Sequence, residues 1–164
     1  MEKQKIIIVD IDGTIAKLDA RLGFIQRTPK EWDKFYEELD KDEPMSENIL
    51  NIIADLVVTN STPVFVTGRP ERTRTDTERW ITKHFVAHHN DARPENLISF
   101  PGSELFMRPE NDYREDFVIK KEIHDNHILP NYEILRIYED RQQVIRMYRD
   151  LGYEVIDMGP GTEY

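Results

Sequence analysis

The chain has 164 residues, no cysteine, and 32 acidic against 22 basic side chains, which gives a net charge of −10 at pH 7. The absence of cysteine excludes disulfides, Cys-ligated zinc and thiol catalysis, and the negative charge argues against nonspecific coating of nucleic acid. No apolar run approaches the roughly 20 residues that cross a membrane, and the charged, acid-interrupted start differs from a signal peptide. We therefore expect one soluble, cytoplasmic domain over residues 1–164, with no membrane association and no obligate protein partner.

The first apolar run, "KIIIVD" at residues 5–10, is uniformly apolar, which is typical of a central strand covered on both faces. It leads directly into "DIDGT", where Asp10 and Asp12 lie two residues apart and precede Gly13. Side chains at i and i+2 point to the same side of an extended chain, and glycine permits a sharp turn. Asp-Gly alone is also typical of a plain turn, so the motif needs support from elsewhere in the chain.

Residues 17–43 are predicted to form a small cap inserted after this strand. Within them, "TPKEWDKFYEEL" at 28–39 predicts a helix with Thr28 as N-cap, Pro29 at its first position and Glu31 completing a capping box. The aromatic stripe in this segment is predicted to pack the cap, with base stacking as a secondary role. Its members are Trp32, Phe35 and Tyr36.

Two further helices have clear apolar faces. "SENILNIIADLVV" predicts a helix with Ser46 as N-cap, and "RQQVIRMYRDLG" predicts another that stops at Gly152. Three-and-four spacing predicts that the following residues are buried: Ile49, Ile52, Ile53, Leu56 and Val57 in the first helix, and Val144, Ile145, Tyr148 and Leu151 in the second.

Four more apolar runs predict strands: "PVFVTG" at 63–68, "ELFMR" at 104–108, "ILRIYED" at 134–140 and "YEVIDM" at 153–158. Their alternation with helical patterns predicts an α/β fold, a three-layer α/β/α arrangement with a central parallel sheet.

Polar residues interrupt three of the predicted strands at their carboxyl ends, where ligands bind in open α/β sheets. They are Asp10 and Asp12 at the end of the first strand, Thr67, Gly68 and Arg69 at the end of the second, and Glu139, Asp140 and Arg141 at the end of the fourth. Each motif is weak alone, but their shared position predicts one site.

In this order the motifs resemble those of the haloacid dehalogenase superfamily of phosphotransferases. Asp10 and Asp12 resemble its first motif, Thr67 its second, Lys120 in "FVIKKEI" its third, and "EDR" at 139–141 its fourth. Within the superfamily, "VTGRPE", "RPENDYREDFVIKKEI" and "EDRQQVIRMYRDLG" resemble the phosphatase domain of phage polynucleotide kinase/phosphatases, which removes 3′-phosphates from nucleic-acid ends. The kinase motif G-x-x-x-x-G-K-[ST] does not occur in these 164 residues.

The resemblance implies phosphomonoester hydrolysis through an aspartyl-phosphate. Asp10 is then the nucleophile and Asp12 the proton donor and acceptor, while Thr67 and Lys120 hold the phosphoryl oxygens. The expected cofactor is Mg²⁺, bound by Asp10, the backbone carbonyl of Asp12 and Asp140. Glu139 stands where the superfamily has an aspartate, and it is either a metal ligand or a neighbour of one.

Substrate contacts beyond the reacting phosphate are expected from Gly68, Arg69, Arg108 and Arg141, with Arg114 as a further candidate. Lys121 is the adjacent alternative to Lys120. The histidines of "HFVAHHND" and "HDNH" have spacings that suit a metal, but they are more typical of solvated or hydrogen-bonded residues.

The leading substrate is a phosphorylated nucleic-acid 3′ end. The first alternative is a phosphatase for nucleotides or other small phosphomonoesters, which the acidic composition favours. The second alternative, a non-catalytic binding module, stays open because a fold does not determine a function.

Overall fold

The computed structural model describes residues 2–100 and 104–159, and its centre is a five-stranded parallel sheet in the order β3-β2-β1-β4-β5. All five predicted strands are confirmed: β1 Gln4–Val9, β2 Thr62–Pro70, β3 Leu105–Arg108, β4 Tyr132–Glu139 and β5 Val155–Asp157.

The register of the sheet brings the ends of its central strands together. Val9, the last residue of β1, pairs with Phe65 of β2 on one side and with Tyr138 of β4 on the other. Since all the strands are parallel, the polar residues at the carboxyl ends of β1, β2 and β4 lie at the same edge of the sheet. Thr67, Gly68 and Arg69 are still part of β2, and Glu139 is the last residue of β4.

Helices cover both faces of the sheet, as predicted. They are α1 Trp32–Phe35, α2 Ser46–Thr59, α3 Arg74–Ile81, α4 Ala87–Ala92, α5 Asp116–Ile123 and α6 Gln142–Asp150. Short 3₁₀ helices span Leu22–Phe24, Leu39–Lys41 and Glu71–Thr73, and π-helical turns at Thr82–Val86 and His124–Ile128 continue α3 and α5.

The side chains of β1 alternate between two hydrophobic cores. Ile7 and Val9 belong to the core that contains apolar residues of α2, α3 and the π-helical turn Thr82–Val86. Ile6 and Ile8 belong to the core that contains those of α5 and α6. This alternation explains the uninterrupted apolar run and confirms the three-layer α/β/α fold.

Some details of the predicted helices were wrong. Ser46 is the first residue of α2, and Met45 occupies the N-cap position without a side-chain capping bond. Val57 and Leu151 are exposed rather than buried, at 45% and 39%. Gly152 does follow the end of α6 with φ +95°, and its amide donates to the carbonyl of Arg149.

The helix predicted over residues 28–39 is reduced to the four residues of α1. Glu31 does not close a capping box, because its carboxylate pairs with Arg27 Nη1 at 2.6 Å and with Lys34 Nζ at 2.9 Å. Glu38 has φ +57°, which is incompatible with a continuing helix.

The cap segment, residues 17–43, has a small apolar cluster of its own built on Leu18, Ile25 and Phe35. Its two ends meet where Lys17 N donates to the carbonyl of Glu43 at 2.9 Å. Across residues 2–100 and 104–159, no helix combines the length and the apolar character needed to span a membrane.

Candidate active site

Asp10 lies at the floor of the site, directly after β1, and its side chain is buried. Its amide donates to the carbonyl of Tyr138 at 3.0 Å, which continues the sheet by one residue. Its Oδ1 accepts from Lys120 Nζ at 2.8 Å and its Oδ2 from Thr14 Oγ1 at 2.8 Å. Both carboxylate oxygens are therefore held in a fixed orientation.

The chain turns sharply after Asp10. The carbonyl of Ile11 accepts hydrogen bonds from three successive amides, those of Thr14, Ile15 and Ala16, at 3.1, 2.9 and 3.0 Å. Gly13 has φ +83°, a region that favours glycine. The prediction that Gly13 permits a sharp turn is confirmed.

Three buried carboxylates converge beside this turn. One oxygen from each of Asp10, Glu139 and Asp140 lies within 4.8 Å of the other two. Burial raises the pKa values of Glu139 and Asp140, and the charge of Asp10 raises them further. The three carboxylates therefore do not favour being ionised together in this buried position unless positive charge lies nearby.

Lys120 is the ammonium group that faces this cluster. Its Nζ lies 2.8 Å from Asp10, 2.7 Å from Glu139 and 3.6 Å from Asp116. Burial lowers the pKa of Lys120, but these carboxylates raise it well above its ordinary value. Lys121, the alternative, is at the surface in an ion pair with Asp125.

Glu139 has a second set of contacts that the sequence did not reveal. Its Oε1 accepts from the amides of Asp140 and Arg141, both at 3.1 Å, while its Oε2 accepts from Lys120. Glu139 therefore shapes the loop that carries Asp140 and holds the lysine.

The carboxylate of Asp12 is not a member of the acidic cluster and binds two arginines. Arg69 donates to it twice, from Nε at 3.0 Å and from Nη2 at 2.6 Å, and Arg21 Nη2 donates at 3.1 Å. Burial raises the pKa of Asp12, but the charges of Arg69 and Arg21 outweigh it and lower the pKa to about 2.

Arg21 is a site residue that the sequence analysis missed. Its side chain is buried, and its Nε and Nη2 donate to the two oxygens of Asp42, both at 2.8 Å. Asp42 also accepts from Arg69 at 3.3 Å, so the three residues connect the cap segment to Asp12. No periodic pattern marks either residue, and the fold alone brings them to the site.

Asp116, the first residue of α5, was also missed. It is buried and lies within 3.5 to 3.7 Å of cationic nitrogens on Arg108, Lys120 and Arg141. Its position one helical turn before Lys120 was an available signal, because residues at i and i+4 share a helix face.

The remaining predicted residues lie at the same edge of the sheet. Thr67 is buried near the carboxyl end of β2, and its Oγ1 accepts from the amide of Arg69 at 3.2 Å. Arg108 donates from Nε to the carbonyl of Gly68 at 2.9 Å. Arg141 pairs with Asp116, and Arg114 lies further out, between Asp112 and Glu122.

A cavity of about 620 Å³ opens above these side chains. Asp10, Asp12, Thr67 and Asp140 line its polar part, and the predicted arginines also reach it. Aromatic residues of the cap segment and of the loop after β3 line the rest: Trp32, Tyr36 and Tyr113. The site is thus a pocket with a carboxylate floor and an aromatic rim.

The histidines do not line this cavity, and His89, His124 and His127 have partners of other kinds. His124 Nδ1 is 2.7 Å from Asp125 and its Nε2 is 2.7 Å from the hydroxyl of Tyr153. His89 contacts Asn90, and the ring of His127 stacks on Phe106.

Comparison with known proteins identifies proteins that are similar to this chain over nearly its whole length. A family profile described as "Polynucleotide kinase PNKP phosphatase domain" matches residues 4–162. A putative bifunctional polynucleotide kinase/RNA ligase of Autographa californica nuclear polyhedrosis virus is 26% identical over 147 residues, which are 90% of this chain and 18% of that protein.

Solved structures share the fold. A chain of the Pnkp1/Rnl/Hen1 complex superposes with a TM-score of 0.73 at 25% identity and covers 98% of this chain. The class C acid phosphatase from Bacillus anthracis superposes with a TM-score of 0.62 at 12% identity, which shows a common fold. This chain spans 48% of the Pnkp1/Rnl/Hen1 chain and 69% of the acid phosphatase.

The family profile extends over almost the entire chain, and the residues that carried the resemblance meet at one edge of the sheet. The chain belongs to the polynucleotide kinase phosphatase-domain family and is a phosphatase of the haloacid dehalogenase type.

Proposed function

We propose that this phosphatase removes 3′-phosphates from polynucleotide ends through an aspartyl-phosphate intermediate. The observation that carries the proposal is the position of Asp10: a buried carboxylate at the floor of the cavity, with Lys120 at 2.8 Å and two further carboxylates beside it. The family match supports a phosphorylated polynucleotide as the substrate.

In the first proposed step, an oxygen of Asp10 bonds to phosphorus as the bond from phosphorus to the 3′ oxygen breaks. The leaving oxygen takes a proton from Asp12. In the second step, Asp12 accepts a proton from water as that water attacks phosphorus and releases Asp10. Since the pKa of Asp12 is lowered in the free protein, we propose that Asp12 takes up the proton that it donates when the phosphate binds, because the negative charge of the phosphate raises its proton affinity.

The acidic cluster fits a divalent metal with oxygen ligands. Its members are all carboxylates, the donors that Mg²⁺ prefers. We propose that Asp10, Asp140 and the backbone carbonyl of Asp12 hold Mg²⁺, while Glu139, already bonded to Lys120 and to two amides, supports them. Bound there, the metal supplies positive charge that offsets the carboxylates and the phosphoryl oxygens.

The arginines around the cavity have proposed roles in substrate binding. Arg69 and Arg141 both line the cavity, and the planar fork of arginine suits a phosphate group. Arg108 directs its Nε to Gly68 O and its Nη1 to the carbonyls of Asp112 and Arg114, so we propose that it mainly shapes the wall beside the substrate.

The names of the relatives suggest that the proposed substrates include RNA ends. The viral relative is named as a kinase and RNA ligase, and a structural relative belongs to a complex with Rnl and Hen1. Removal of a 3′-phosphate leaves the 3′-hydroxyl that a ligase joins to a 5′-phosphate, so we propose RNA as well as DNA ends as substrates.

A second candidate function is hydrolysis of nucleotides or other small phosphomonoesters. The net charge of −10 favours it, because it disfavours long-range attraction of a polyanion. The two candidates share their chemistry and differ in what the cavity rim contacts.

Phosphate release with Mg²⁺ and with EDTA separates the candidates. The substrates are a 3′-phosphorylated oligonucleotide, its 5′-phosphorylated counterpart and a 3′-mononucleotide, each made as RNA and as DNA. The proposal expects release that depends on Mg²⁺ and is fastest from the 3′-phosphorylated oligonucleotide. Equal or faster release from the mononucleotide would favour the second candidate.

Asp10→Asn tests the nucleophile, and Asp91→Asn, an exposed aspartate of α4, is the matched control. We expect Asp10→Asn to abolish release and Asp91→Asn to leave it unchanged. Trapping of labelled phosphate on the wild-type protein, and its absence from Asp10→Asn, would identify the intermediate. Full activity in Asp10→Asn would contradict the assignment.

A further inference from the structure

The rim of the cavity exposes aromatic rings on two separate chain segments. Trp32 of α1 is 38% exposed and Tyr113, in the loop before α5, is 89% exposed. Both line the cavity that contains Asp10. By contrast, Trp80, the other tryptophan of the chain, is 1% exposed and packs in the core.

Neighbouring aromatic rings hold Trp32 in a fixed orientation. Its ring stacks on Tyr36 with centroids 6.1 Å apart and 20° between planes, and it meets the edge of Phe35 at 5.7 Å. Phe35 in turn is buried in the apolar cluster of the cap segment. The indole ring is therefore already ordered at the rim, and a ligand that binds there does not lose affinity by having to order it.

Tyr113 lies on a loop of residues 109–115 whose backbone is held in place. Arg108 Nη1 donates to the carbonyls of Asp112 at 3.1 Å and Arg114 at 2.6 Å, on either side of Tyr113. Arg114 binds Asp112 and also Glu122 of α5, which fixes the loop to that helix. An almost fully exposed ring thus lies on an anchored loop.

The two segments are connected at the mouth of the cavity. Arg72 pairs with Asp33, the neighbour of Trp32, and with Glu110 of the 109–115 loop, both at 3.4 Å. Its guanidinium also lies 5.5 Å from the ring of Tyr36. Both aromatic walls therefore belong to one continuous rim around the catalytic carboxylates.

We propose that Trp32 and Tyr113 stack on the nucleobases next to the 3′-phosphate, which makes an unpaired polynucleotide end the preferred substrate class. This inference rests on the proposed function. Every base has a π-face, so aromatic rings bind single strands with little sequence preference. Stacking also explains how a chain with net charge −10 binds a nucleic-acid end without a broad basic surface.

Binding to modified oligonucleotides tests the proposal. The probe is a single-stranded 3′-phosphorylated oligonucleotide with a 5′ fluorophore, compared with the same strand lacking the bases of its last two nucleotides. Asp10→Asn prevents turnover during the titration. We expect at least a 10-fold weaker affinity without the two bases, and partial quenching of tryptophan fluorescence by the complete strand, because Trp32 is the exposed tryptophan.

The same titration is repeated with Trp32→Ala and Tyr113→Ala in the Asp10→Asn background. Each is expected to bind the complete strand several-fold more weakly and to discriminate less between the two strands. Trp32→Phe and Tyr113→Phe keep a ring and should keep most of the discrimination. Leu97→Ala, at a residue 67% exposed and outside the cavity, is the control and should behave like its parent.

Two distinct failures are separated by this design. Equal affinity for both strands in the parent and in both alanine variants would overturn the stacking inference, even if the wild-type protein releases phosphate from 3′-phosphorylated ends. Absence of that release from wild-type protein, with release from a mononucleotide intact, would overturn the proposed function and the inference together.

Discussion

Gly13 and Asp140 share a space that admits no side chain between them. A Cβ on Gly13 would lie 2.6 Å from Cγ of Asp140, well inside van der Waals contact. Gly68 stands in a similar relation to Asp116, whose Cγ would lie 3.1 Å from a Cβ at position 68. The turn after β1 and the carboxyl end of β2 therefore each leave room for an acid of the site.

Gly13→Ala should impair both folding and activity. Its φ of +83° costs an L-residue about 1–2 kcal/mol, and the new methyl group must displace Asp140. A displacement of about 1 Å in such a site costs roughly 100-fold in rate. Urea unfolding and phosphate release measure the two effects.

Gly152→Ala is the control. Gly152 has a similar φ of +95°, but a Cβ there would meet no atom within 4 Å, so the variant should lose stability and keep activity. Equal activity of the two variants would contradict the steric argument.

Lys120→Met should be far more damaging than Lys121→Met. The first removes the ammonium shared by Asp10 and Glu139, and breaking a buried ion pair costs about 3–5 kcal/mol. The second removes an exposed pair with Asp125, for which about 0–1 kcal/mol is typical. We expect no detectable phosphate release from Lys120→Met and near-normal release from Lys121→Met. Similar unfolding free energies for the two variants would show that the buried cluster is not stabilised by the lysine.

Arg21→Lys tests the connection between the cap segment and Asp12. A lysine cannot reproduce the two-pronged contact with Asp42 while also reaching Asp12 and the carbonyl of Phe35. Activity should fall about 10-fold or more, with a loss of about 1–3 kcal/mol in stability. Arg27→Lys, the same change at an exposed ion pair in the same segment, should have little effect on either. An unchanged rate in Arg21→Lys would mean that Asp12 does not depend on this arginine.

The strands could be predicted from the sequence because their physical cause is local. Ile6 to Val9 alternate between two cores, so every residue is apolar and no helical period fits as well. The meeting of Asp10 and Asp140 followed from the same reasoning, since parallel strands end at one edge. Lys120 required the resemblance, because α5 alone does not show which of its two lysines faces the sheet.

The cap segment could not be predicted in the same way. Its capping signals at Thr28 and Glu31 compete with ion pairs from Arg27 and Lys34, and the outcome depends on side-chain geometry. Arg21 belongs to no periodic pattern, and its partner Asp42 is 21 residues away in the chain. Residues that act through such long-range contacts leave no local trace in the sequence.

The carboxyl group of Asp112, which helps to anchor the 109–115 loop, has a titration that can be measured. A hydrogen bond from the Arg114 guanidinium lowers the pKa of Asp112 from 3.8 to about 2. A lowered carboxylate pKa means that this contact contributes to stability above about pH 4 and is lost as the pH falls toward 2.

Arg114→Gln should therefore return the pKa of Asp112 toward 3.8, as measured by carboxyl NMR. The pKa of Asp157, which is lowered by Gln142 instead, is the internal control in the same spectra and should not move. The difference in unfolding free energy between wild type and Arg114→Gln should be larger at pH 6 than at pH 2. A pKa of Asp112 that stays near 2 in the variant would show that another group holds the loop that presents Tyr113.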